Sequence, residues 1–231
     1  MPLIYSNIQL SEVVEEHPSL IPVINRLGIR LGLGDKTVEE ICKEHSIDTD
    51  FLLAVINTFL NEEYFPEKKL QTFHISQIVN YLAKTNSYYL RYQLPNIERH
   101  LDSFISMSGQ ENQTLNLIRK FYYSFKEELT NRIKYDEQTL FPLCRKFEKN
   151  ISGESSHPAE NYTPNQEEDT IEALLADLKS IMIKHLTGEY NENLCYAVIF
   201  AICSLEKDIK QHDRIRYKIL MPMLTVSDTY I

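Results

Sequence analysis

The sequence predicts an all-α protein, with a small helical N-terminal domain followed by a bundle of four long helices. Two observations carry that expectation. Apolar residues recur at steps of three and four over long stretches, the period of a helix with one buried face. Helix breakers are scarce: the 231 residues contain six glycines, and three of them, Gly28, Gly32 and Gly34, crowd into one short stretch.

Taken in order, the first sixty residues read as short helices. Ser11 suits the cap of one, and Pro18 suits the opening turn of another, where a missing N–H costs nothing. Thr37-Val-Glu-Glu40 has the form of a capping box, in which a threonine and a glutamate three residues on satisfy each other's free backbone donors. Asp48 or Thr49 caps a fourth helix running to about Asn61. The polar stretch Asn61 to Lys69, with Pro66, reads as a linker, dividing the chain into domains at 1–65 and 70–228.

Beyond it, helical patterns cover about 74–107, 112–148, 167–187 and 192–224. The segment 150–166, rich in Ser, Pro, Asn and Glu, is the one long loop of the bundle. Pro95 predicts a kink, because it removes an intrahelical hydrogen bond. Leu140-Phe-Pro-Leu143 and Leu220-Met-Pro-Met223 end the second and fourth segments 80 residues apart, as two helical hairpins related by pseudo-symmetry would.

Apolar residues make up 43% of the chain, enough for a real core, and a formal charge of −9 argues against nucleic acid or anionic lipid as a partner. Cys42, Cys144, Cys195 and Cys203 form no CxxC pair and read as structural thiols in a reducing cytosol. The opening residues lack the features of a signal peptide, and the nearly apolar run Leu194 to Leu205 is too short to span a bilayer. A soluble, cytoplasmic protein is expected.

Several weaker signals point to structure only. Gly34-Asp-Lys-Thr37 lacks a glycine directly before its lysine and reads as a turn feeding a helix. Glu154-Ser-Ser-His157 lies in the long loop and does not suit a ferritin-like ligand pair. His100, His185 and the pairs Tyr88-Tyr89 and Tyr122-Tyr123 read as surface or packing residues.

The inward stripes carry more. Ile75, Val79, Leu82, Asn86 and Tyr89 share one face of the first long segment; Ile118, Phe121, Phe125, Leu129, Arg132, Asp136 and Leu140 share one of the second. Glu168 precedes Ile171, Leu175, Leu178 and Met182 in the third, and the fourth carries Ala201, Leu205, Ile209, His212, Arg216 and Ile219. Each stripe thus has a polar interruption, and two have an i,i+4 pair, Arg132/Asp136 and His212/Arg216. Burying any of these alone costs several kcal/mol, so a shared polar centre is expected.

The passages Ile78 to Asn86 with Leu94-Pro95, Asp136-Glu-Gln-Thr-Leu-Phe-Pro142, and His212-Asp-Arg-Ile-Arg-Tyr-Lys-Ile-Leu-Met-Pro222 resemble the ligand-bearing passages of the ScdA/YtfE-type repair-of-iron-centres family. Glu16-His-Pro through Gly28-Ile-Arg-Leu-Gly-Leu-Gly34 to Cys42 resembles that family's small N-terminal domain. The resemblance implies a hemerythrin-like up-and-down four-helix bundle and a context of nitrosative or oxidative stress and iron–sulfur homeostasis.

It also implies what is missing. The family's first-helix histidine falls on Asn86, its second-helix histidine and carboxylate on Arg132 and Asp136, and its third-helix histidine on Glu168. His212 matches the fourth-helix histidine, but the partner glutamate falls on Arg216. The adjacent N-terminal cysteines of the family fall near Gly32 and Leu33. Di-iron pairs need neutral imidazoles and carboxylates, and a protonated arginine repels a cation. Guanidinium–carboxylate pairs of Arg132 and Arg216 with Asp136 and Glu168 are therefore expected in place of a metal. The chain is expected to be a non-enzymatic, metal-free module that binds a protein partner or itself. The alternative is a working non-heme iron protein of cluster repair or nitric oxide response, with His212, Asp136 and Glu168 as its ligands.

Overall fold

The computed structural model describes residues 2–108, 113–151 and 170–225. Among these the structure is helical, apart from turns, connectors and one isolated antiparallel bridge between Gln9 and Thr37. No helix of the described residues is long and apolar enough to cross a membrane.

Helix α1 spans Leu10–Glu16; a 3₁₀ turn at Pro18–Leu20 leads into α2, Ile21–Arg26. Ser11 lies inside α1 and does not cap it; Gln9 holds the cap position without a side-chain bond. The reason is backbone pairing with 36–38, through Leu10 N–H to the Lys36 carbonyl and Val38 N–H to the Ile8 carbonyl, which gives the helix start its partner. Gly28 ends the α2 turn at φ +92°, a conformation that a Cβ would strain.

Helix α3, Val38–His45, opens on the expected capping box. Thr37 N–H donates to Glu40 Oε2 at 2.8 Å, and Glu40 N–H donates to Thr37 Oγ1 at 3.3 Å. Of the two cap choices for α4, Thr49–Leu60, Asp48 is the one used, its Oδ1 accepting from Phe51 N–H at 3.0 Å.

The stretch read as a linker is engaged. Arg214 donates to the Tyr64 carbonyl at 3.1 Å and lies 4.6 Å over the Phe65 ring, with Lys218 5.7 Å from the same ring. A single-turn helix, α5 (Glu67–Leu70), follows and buries Leu70. Its polar residues face out, so composition alone concealed the anchors.

The long segments are each composite. The first is α6 (Ile75–Tyr88), a π-helical turn Tyr89–Gln93 and α7 (Leu94–Ser106). The second is α8 (Gln113–Tyr135), a π turn Asp136–Leu140 and α9 (Phe141–Ile151). The third is α10, Ile171–Lys184. The fourth is α11 (Glu192–Ile215), a π turn Arg216–Leu220 and α12 (Met221–Thr225). The expected kink at Pro95 takes the form of a widened turn. Leu94 N–H reaches back five residues to the Tyr89 carbonyl, and Phe141 and Met221 do the same to Asp136 and Arg216.

By packing, the described residues fall into two compact units: residues 2–84, 144–151 and 213–225, and residues 85–108, 113–143 and 170–212. In the first, Asn57 holds the N-terminal segment, accepting from Ile4 N–H at 2.7 Å and donating to its carbonyl at 2.9 Å. Glu148 caps α6 from a distance, accepting from Ser76 N–H at 3.1 Å. Phe51 packs edge-on to Phe73 and Tyr81.

In the second unit, α7, α8, α10 and α11 share one apolar core that includes Phe104, Tyr122, Phe125, Leu178 and Leu205. Each neighbour pair has its own link. Tyr122 Oη donates to the Leu94 carbonyl at 2.8 Å, joining α8 to α7, and Tyr123 and Lys126 both donate to Glu98. Those two donors hold the Glu98 carboxyl below the usual glutamate value, Lys126 contributing more. Helix α8 packs on α10, Lys179 of α10 pairs with Glu206 of α11, and His212 of α11 lies beside Tyr89 of the first segment.

Candidate functional site

The interior polar positions rest on a repeat in the helices themselves. Each π turn is followed by one apolar residue and then a proline: Leu94-Pro95, Phe141-Pro142, Met221-Pro222. Proline has no N–H, and its ring collides with the carbonyl four residues back in a regular helix. Widening the preceding turn relieves that collision without ending the helix. One cause therefore recurs at three places among the described residues.

Within each π turn the first and last residues are buried and the middle ones exposed: Asp136 and Leu140 inside, Glu137, Gln138 and Thr139 outside. Tyr89 and Gln93 follow the same rule, and in the third turn Arg216 and Leu220 are buried together with Ile219, leaving Tyr217 and Lys218 outside. Counting back from the prolines places Tyr89, Asp136 and Arg216 in one register, and Thr85, Arg132 and His212 one helical turn earlier. The first-helix equivalents of the two i,i+4 pairs are thus Thr85 and Tyr89, both buried, and Asn86 stands one residue off that register. The Leu-Pro, Phe-Pro and Met-Pro steps are the sequence signal for this.

Asn86, Asp136 and His212 are buried within the second unit, and Arg132, in the same unit, is half-buried. Tyr89 and His212 meet, with ring centroids 5.9 Å apart and planes tilted by 58°. Arg216 is buried in the first unit, donating to Met221 Sδ at 3.6 Å, with its guanidinium 4.6 Å over the Tyr217 ring. Glu168, like Glu154 and His157, lies outside the described residues. His100 is half-buried and His185 exposed.

Asn86 stands apart chemically. It is 1% exposed, and among the described residues neither its amide oxygen nor its amide nitrogen has a hydrogen-bond partner. A buried amide in that state costs on the order of 1–3 kcal/mol. Sequence reasoning missed further buried polar groups on the fourth segment: Asp208 and Gln211 in the second unit, and Asp213 in the first. Asp208 precedes His212 by one helical turn, a spacing that was legible.

The residues present do not fit a di-iron pair. Among the described residues, no three His, Cys, Asp or Glu side chains come together in a group able to hold a metal ion. The equivalent positions carry a hydroxyl, a phenol, two guanidinium groups, one carboxylate and one imidazole, where such a pair needs several imidazoles and bridging carboxylates. Thiol chemistry has no obvious seat either. Cys42, Cys144 and Cys195 are buried, Cys203 is half-buried, and burial pushes the Cys42 and Cys195 thiols up, away from the reactive thiolate. No protein-family model and no curated protein matches the chain.

Proposed function

We propose that this chain is a metal-free relative of the repair-of-iron-centres proteins that works by binding a partner. Residues 70–228 form the hemerythrin-like up-and-down bundle and residues 1–65 its small N-terminal domain. The protein acts in the cytoplasm, in the response to nitrosative or oxidative stress. One observation carries the reading: the positions set by the π turns keep the spacing of a ligand-bearing bundle while their chemistry is that of Thr85/Tyr89, Arg132/Asp136 and His212/Arg216. Fixed cations at such positions oppose a metal ion instead of binding it.

The bundle reading is supported by the links within the second unit, α7 to α8, α8 to α10, α10 to α11, and α11 back to Tyr89. Neighbours that follow chain order and close on themselves are what an up-and-down bundle requires.

Iron content tests the reading. Protein purified with and without oxygen should carry far less than one iron per chain and show no near-ultraviolet oxo-bridge absorption. The combined variant Thr85→His, Arg132→His, Asp136→Glu, Glu168→His, Arg216→Glu should take up iron under reducing conditions, because only donor chemistry separates it from a ligand set. Stoichiometric iron in the wild type overturns the metal-free reading. A folded combined variant that binds none overturns the register.

A further inference from the structure

We propose that the outward face of α11 pairs, antiparallel, with the same face of a second copy of this chain. The inference names the partner in the partner-binding reading above and rests on that part of it. The inward side of α11 is spent on the core of the second unit, through Cys195, Val198, Ile202, Leu205 and Ile209. The opposite side carries Tyr196 and Phe200, one helical turn apart, 51% and 72% exposed. Phe200 is the most exposed large apolar side chain among the described residues. Around it stand Asn193 and Ser204, exposed and too small to hold a second helix away. Two aromatic rings aligned on one face offer an anchor that solvent does not reward.

The order of charges along this face selects the occupant. Glu192 lies exposed at its N-terminal end, and at its C-terminal end stand half-buried Lys207 and exposed Lys210, the latter also 3.4 Å from Glu206 of its own helix. At 100° per residue, Glu192 and Lys210 fall on the same flank of the Tyr196–Phe200 stripe, with Lys207 close to its middle. In an antiparallel pair centred on Phe200, Glu192 of each copy faces Lys207 and Lys210 of the other, and the twofold axis makes both contacts at once. A parallel pair would set glutamate on glutamate and lysine on lysine. The face is therefore complementary to itself in one orientation. A single helix pair buries less than about 1,200 Å², so the dimer is weak and forms at micromolar concentrations.

Sedimentation equilibrium from about 1 to 200 µM reads the outcome, a range that spans weak association. Wild-type protein should be a reversible dimer, and Phe200→Asp should raise its Kd by at least about tenfold while leaving unchanged the unfolding midpoint measured at dilutions where both proteins are monomeric. Glu192→Lys and Lys207→Glu should each weaken self-association, and mixing the two variants should restore it as a heterodimer, because only the mixed pair sets opposite charges against each other. A wild type that stays monomeric, a dimer indifferent to Phe200→Asp, or a mixture no tighter than its parts overturns the proposal. So does a monomer whose unfolding midpoint falls in Phe200→Asp, since the chain's own residues then cover the face. Iron content decides the metal-free reading separately: an iron-loaded protein that dimerises through α11 sinks that reading and leaves this one standing.

Discussion

Asn86 and Arg216 show two ways a helical interior can hold a polar group. Asn86 is buried with neither amide atom bonded among the described residues, so replacing it with an apolar group of similar size removes a desolvation cost. Asn86→Leu should be neutral or stabilising by up to about 2 kcal/mol in urea unfolding. A loss of more than about 1 kcal/mol would show that the amide is engaged. Arg216 is buried and carries a charge, with Met221 and the Tyr217 ring among its contacts. If it is a core charge partner, as its sequence position implies, Arg216→Ala leaves an uncompensated carboxylate and costs about 3–5 kcal/mol. An arginine that served only the surface would cost roughly 0–1 kcal/mol. Both burials were legible from the stripe positions. The missing hydrogen bonds of Asn86 were not, because they depend on what other helices bring near it.

At the scale of elements, each interruption of a long helix has a proline behind it. A proline inside a regular helix costs about 3 kcal/mol or more, through a lost bond and a clash. The π turn Asp136–Leu140 already absorbs that clash ahead of Pro142. Pro142→Ala should therefore change stability by less than about 1 kcal/mol, well short of the ~3 kcal/mol recovered when a strained proline is removed. A gain near the larger figure would mean that the widened turn does not relieve the strain. Helix starts were legible where the signal was local: the Thr37–Glu40 box and the Asp48 cap involve only neighbours three residues apart. Ser11 misled because its helix is started by backbone pairing with residues 36–38, a contact between distant stretches.

For the molecule as a whole, the boundary at 61–69 is the point to test. Tyr64 and Phe65 are held by Arg214 and Lys218, so wild-type protein should resist cleavage there even though the stretch is polar. Arg214→Ala should speed limited proteolysis at residues 61–66, with far-ultraviolet circular dichroism unchanged. Equal cleavage rates in the two proteins would show that the clamp does not restrain the segment. A folded fragment released by that cut would support the domain division at 1–65 and 70–228. Neighbours within about four places of one another were enough to read the helical class, the long segments and the burial of Asn86, Asp136, His212 and Arg216, because helical period and capping are local properties. Tertiary structure was needed to see that the proline kinks take the form of π turns, that His212 meets Tyr89, and that the polar stretch at 61–69 is anchored by an arginine 150 residues away. Those are contacts between residues far apart in the chain or choices of backbone geometry, and no local pattern encodes either.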